Sequence, residues 1–111
     1  MIQKNRRTVD TYMKVGAKMR LFKMLGTRTA VEISQVLSAT DTHNLMRALD
    51  KVDEICSKAE DNMFRDHPDL TDEYLDVFYG STEMEPRNDV DRKVIAMARE
   101  AADGLFKGTR N

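Results

Sequence analysis

Leu45, Leu49, Val52, Cys56, Ala59 and Met63 recur at intervals of 4, 3, 4, 3 and 4 residues, which aligns them along one side of an α-helix. Met46, Ile55 and Phe64 widen this stripe, while Asp50, Asp53, Glu54, Lys58 and Asp61 lie mainly off it and are expected to be solvated. The pattern predicts a helix of about 24 residues from near Asp41 to Phe64, packed in a bundle or a short coiled coil.

Weaker patterns flank it. Val9, Tyr12, Met13, Met19 and Met24 give a broad apolar face to a first helix near Thr8 to Leu25, which Gly26 is suited to close. Arg20 and Lys23 fall near that face, whereas Arg7, Lys14 and Lys18 occupy another side. Thr29 and Glu32 have capping-box spacing and predict a second, short helix with Ile33, Val36 and Leu37 on its apolar side. Ser38, Ala39 and Thr40 then offer a break before the long helix. Pro68 has no amide hydrogen and drives His67 out of the α region, so the chain turns there. Thr71 is placed to cap a short helix carrying Tyr74, Leu75, Phe78 and Tyr79 before Gly80. Asn88 or Asp89 opens the last helix, with Val90, Val94, Met97, Ala101 and Leu105 on one side and Ile95, Ala98 and Ala102 broadening it.

The expected fold is therefore all-α: a small bundle of about five helices, three long and two short, with short antiparallel connections. It forms a single domain over residues 1–111, with 1–7 and 108–111 frayed. Ala59, Ala98, Ala101 and Ala102 would let the third and fifth helices approach closely, as would Gly16 and Ala17 on the first. Two prolines, five glycines, no Trp and 33% charged residues fit this class better than short strands joined by turns. A lone cysteine cannot form an intramolecular disulfide, and no secretory-signal pattern opens the sequence, so a cytoplasmic location is expected. No run approaches the roughly 18 apolar residues of a transmembrane span.

Charge changes the picture most. The first 28 residues carry eight Lys or Arg against Asp10 alone, and residues 29–111 carry ten against eighteen acids, so a net charge of −1 hides halves of +7 and −8. Such a chain either neutralises itself on folding or presents opposite fields to different partners.

Candidate chemistry is sparse. Cys56 lies in the apolar stripe, where a thiol is an inert filler. His43 and His67 lack metal-binding spacing, and no catalytic residue, metal or cofactor is expected. Asp50 and Asp53, with Glu54 beside them, and Glu73 with Asp76 form acidic pairs at a spacing of three. Such pairs on adjacent helices can hold Mg²⁺ through oxygen ligands. The arrangement is similar to the ExxE and ExxD pairs of the all-α nucleotide pyrophosphohydrolases, with Asp at some positions where that family prefers Glu. The resemblance covers these five residues and implies a Mg²⁺-dependent phosphohydrolase as one alternative.

A second alternative is a helix-turn-helix over residues 29–52, offering Thr42, His43, Asn44, Arg47 and Lys51 to base edges or phosphates. The leading expectation is a non-catalytic protein that binds another protein through charged helical surfaces. Asp50, Asp53, Glu54 and Asp61 would form an acidic face, and Lys14, Lys18, Arg20 and Lys23 a basic one. The basic stretch could also lie on a membrane surface or in a groove of an acidic partner, although Met19, Phe22 and Leu25 read first as core. Homodimerisation through the stripe of residues 45–63 is a further option, less favoured than packing within the chain.

Overall fold

The computed structural model describes residues 2–82 and 85–107, with side chains as far as residue 105. Among them the secondary structure is entirely helical. Three α-helices, α1 (Val9–Ile33), α2 (Ala39–Asp66) and α3 (Asp89–Lys107), are accompanied by 3₁₀ turns at Lys4–Arg6, Ser34–Val36 and Asp72–Tyr74. The all-α class and the three long helices agree with the sequence pattern; the two short helices are not formed.

The first of these is absorbed into α1. The helix runs straight through Gly26 with no positive φ there and ends eight residues beyond Leu25. A glycine inside a helix costs about 1 kcal/mol relative to alanine. At Gly26 it permits close approach of α2, since a Cβ would stand 3.0 Å from Leu49 Cδ2. Thr29 and Glu32, read as a capping box, are exposed positions inside α1. The true cap of the next helix is Ser38, whose hydroxyl accepts the Asp41 N–H at 3.0 Å. Helix α2 therefore begins slightly earlier than its apolar stripe and runs 28 residues. Thr8 caps α1 in the same way, accepting the Thr11 N–H at 3.1 Å.

The second missing helix follows Thr71, which makes no side-chain cap. Residues 72–74 form one 3₁₀ turn, and turns continue through Tyr79. The local bonds are mostly turn-type, from Tyr74 to Thr71, Leu75 to Asp72 and Val77 to Tyr74; Arg20 of α1 adds donors to the carbonyls of Asp76, Val77 and Ser81.

Helix α1 is the middle element. It packs against both α2 and α3, which barely meet each other. This corrects the expectation that small residues bring the third and fifth helices together: Ala98 is buried, but in a core shared with Ala17 of α1. That core joins Tyr12, Met13 and Ala17 to Cys56 and Met63 of α2, Val77 and Phe78 of the irregular segment, and Val94 and Ala98 of α3. It occupies the N-terminal half of α1 and the C-terminal half of α2. Along the rest of the hairpin, Ala30 is buried while Val31 and Val36 are exposed. The radius of gyration is 15.6 Å, against about 13 Å for a compact chain of this length.

Gly16 marks the crossing of the irregular segment over α1. A Cβ there would stand 2.5 Å from Val77 Cγ1 and 2.7 Å from the Val77 carbonyl oxygen. Gly16→Ala should therefore destabilise the fold by about 1–3 kcal/mol despite the gain in helix propensity. Gly104, inside α3 with nothing within 4 Å of a Cβ, is the control: Gly104→Ala should stabilise by up to about 1 kcal/mol. Urea denaturation of both variants checks the opposite signs.

Candidate functional site

The charged surfaces are arranged by cross-element ion pairs, and Arg20 is the most buried of these. Arg20 and Asp91 are the buried charged residues among those described, at 2% and 4% exposure. Arg20 Nη2 pairs with Asp91 Oδ1 at 2.8 Å. Its remaining donors go to the irregular segment: Nε to the Val77 carbonyl at 3.0 Å, Nη1 to Ser81 at 3.0 Å and Nη2 to Asp76 at 2.5 Å. A side chain at Gly80 would overlap this guanidinium. Burial pushes the Arg20 pKa down, and the hydrogen bond and charge of Asp91 oppose that shift. Asp91 is held in turn by the start of α3, where its N–H donates to Asn88 Oδ1 at 2.8 Å and its Oδ2 accepts from the Arg87 N–H at 2.9 Å.

A second tie joins the N-terminal turn to the end of α2. Arg7 Nε lies 2.9 Å from Asp66 Oδ2, and the Tyr12 hydroxyl donates to the same oxygen at 2.5 Å. His67 Nε2 lies 2.6 Å from the Arg7 carbonyl; a carbonyl only accepts, so this nitrogen carries the proton. The Tyr12 hydrogen bond and the charge of Arg7 hold Asp66 below the usual carboxylate range. Burial, then the bond to Asp66, pushes the Tyr12 phenol up to about 12. The third tie is Lys23, which lies 3.3 Å from Asp53 and 4.7 Å above the centre of the Tyr79 ring.

These pairs redraw the basic face read from sequence. Arg20 is removed from it by burial, and Lys23 by its engagement with α2 and Tyr79. Lys14 is exposed and pairs with Asp10 one turn away at 3.1 Å. Lys18 is exposed and makes no ion pair among the described residues. The acidic face lies differently, with Asp50, Asp53, Glu54 and Asp61 all exposed on α2. Glu54 has Lys51 at 3.6 Å as a solvated neighbour. Glu60 reports the local field: its pKa is raised by burial and then by the negative charges of Asp61 and Asp76.

The two acidic pairs do not assemble into a cation site. Asp53 turns to Lys23, Asp76 pairs with Arg87 at 2.7 Å, and no three His, Cys, Asp or Glu among the described residues are placed to hold a metal ion. Cys56 is buried, and burial raises its pKa. The helix-turn-helix also changes form, because residues 29–33 are the last turn of α1. His43, Asn44, Arg47 and Lys51 are exposed within an arc of about 100° on α2 at 3.6 residues per turn. Thr42 is half-buried and falls outside that arc.

Several depressions border α1, two of them relevant to the surfaces above. One, of about 370 Å³, is lined by Lys23, Met24, Thr27, Tyr79 and Thr82 above the Arg20 site. The other, of about 540 Å³, is an apolar groove between α1 and α3 formed by Leu21, Phe22, Leu25, Ala101 and Leu105 with Lys18 at its edge. Phe22 and Leu25, read from sequence as core, are 56% and 48% exposed, whereas Met19 is half-buried. In the apolar stripe of residues 45–63, Cys56 and Met63 are buried and Val52 and Ala59 pack against the core, while Met46 and Ile55 at its margin are exposed.

The fold and surface define a small three-helix protein in which Arg7, Arg20, Lys23 and Arg87 pair with acids of other elements. Comparison with protein-family models, curated proteins and solved structures finds no match.

Two outcomes follow from the ties. Arg20→Ala leaves Asp91 buried without its cation and should cost about 3–5 kcal/mol in chemical denaturation. Tyr12 gives a pH signature. Its folded pKa is raised, so its stabilisation is fully present below the ordinary phenol value of about 10 and is lost as pH rises through about 12. Asp66 is depressed, so its stabilisation is present above the ordinary carboxylate range and is lost as pH falls through its lowered value. Tyr12→Phe should cost about 1.5–3 kcal/mol at neutral pH and flatten the alkaline limb of a melting-temperature profile relative to the parent.

Proposed function

We propose that this protein is a non-catalytic binding module that docks a cationic partner protein on the exposed acidic ridge of α2. The reading rests on how the charge is spent. Arg7, Arg20 and Lys23 are consumed by Asp66, Asp91 and Asp53, while Asp50, Glu54 and Asp61 face solvent. Those three carboxylates fall on one side of α2 by helical spacing, open to a partner. Field complementarity of this kind speeds encounter and selects partners by charge.

An alternative keeps nucleic acid as the partner, using Asn44, Arg47 and Lys51 beside exposed Lys58 and Arg65. The solvated line of cations along α2 favours it, and the neighbouring Asp50 and Glu54 oppose it.

Fluorescence anisotropy with an oligolysine peptide tests the main reading. Affinity should fall with added salt and drop at least tenfold in the triple variant Asp50→Lys, Glu54→Lys, Asp61→Lys. Equal binding by parent and variant would sink it. Salt-sensitive retention of duplex DNA that is abolished by Arg47→Glu with Lys51→Glu would move the assignment to nucleic acid.

A further inference from the structure

One face of α1 is left without a partner. Val15, Lys18, Phe22, Leu25 and Thr29 follow one another at intervals of 3, 4, 3 and 4 residues, the spacing of a coiled-coil seam. All five are exposed, Val15 to 46%, and Ile33 prolongs the line at 38%. On the other side of the helix Gly16 and Arg20 hold the segment that carries Val77 and Ser81. Across the apolar groove Leu105 of α3 is 56% exposed. These side chains cover no core of their own chain.

We propose that a second copy of this chain covers the seam, the two α1 helices packing antiparallel about a two-fold axis between Phe22 and Leu25. The charges on the seam favour this direction. Lys14 and Lys18 lie at its N-terminal end and Glu32 at its C-terminal end. With Phe22 opposite Leu25 of the second copy, Lys18 faces Thr29 and Val15 faces Glu32. Lys14 and Glu32 lie to the same side of the stripe by helical spacing, and a two-fold axis across antiparallel helices brings like flanks together. Each end of the interface therefore pairs Lys14 of one copy with Glu32 of the other. A parallel arrangement would set Lys18 against Lys18.

Light scattering over a concentration series should give twice the 12.8 kDa chain mass. Phe22→Glu should yield a monomer with unchanged helical circular dichroism, because Phe22 is a surface residue of the single chain. Lys14→Glu and Glu32→Lys should each raise the dissociation constant at least threefold, and their combination should restore it. Orientation is read by oxidation: Lys18→Cys together with Thr29→Cys should form a cross-linked dimer, and neither alone should. A monomer at every concentration overturns the proposal. So does cross-linking by Lys18→Cys alone, or a dimer indifferent to Phe22→Glu. Binding of monomeric protein to phosphatidylserine vesicles that is lost in Phe22→Glu would assign the face to a membrane and likewise overturn it.

Discussion

The fold depends on one buried guanidinium. Arg20 leaves the middle helix, meets Asp91 at the start of α3, and donates to three carbonyls of a segment that has no helix of its own. Replacing a buried ion pair with apolar groups is often neutral or favourable, so its value here is positional. A segment without a continuous ladder needs donors from elsewhere, and an arginine supplies five in a fixed planar fork. Gly80 leaves room for the fork and Gly16 lets Val77 cross α1. The segment then delivers Val77 and Phe78 to the core.

The same interaction sets the surface. Arg20 draws Asp91 inward, Arg7 and Tyr12 take Asp66, and Lys23 takes Asp53. Each removes one cation of the basic N-terminal third and one acid of the remainder. The resulting exterior keeps Asp50, Glu54 and Asp61 along α2 and loses Arg7, Arg20 and Lys23 from the basic face, while Lys4, Arg6, Lys14, Lys18 and Arg28 stay exposed. Because α1 stands between α2 and α3, its inner side is occupied by the irregular segment and its outer side is bare. The apolar residues on that outer side, Phe22 and Leu25, border the groove with α3 and stay about half exposed.

Most of the fold was legible because a helix announces itself by local periodicity. The stripe from Leu45 to Met63 located α2 to within a few residues, and Thr8, Pro68 and Asn88 marked ends through local chemistry that needs no tertiary partner. Gly26 misled because a glycine that closes one helix can, inside another, admit a neighbour such as Leu49. Thr29 with Glu32 misled because capping spacing also occurs within continuing helices. Thr71 misled because its side chain makes no cap and the Val77 carbonyl downstream goes to Arg20, far earlier in the sequence. The acidic residues of α2 were readable as solvated from their position off the stripe. Phe22 and Leu25 were not, since an apolar residue on a helix looks the same whether its own chain or a partner covers it.

The amino-acid sequence by itself determined the helical class, the register of α2, the turn at Pro68 and the two-signed distribution of charge, because each follows from residues within a turn or two of one another. Tertiary structure decided which charges survive at the surface, which helix lies in the middle and which apolar face stays open. Those depend on how elements dozens of residues apart meet, through a guanidinium reaching carbonyls across the fold, and no local pattern carries that distance.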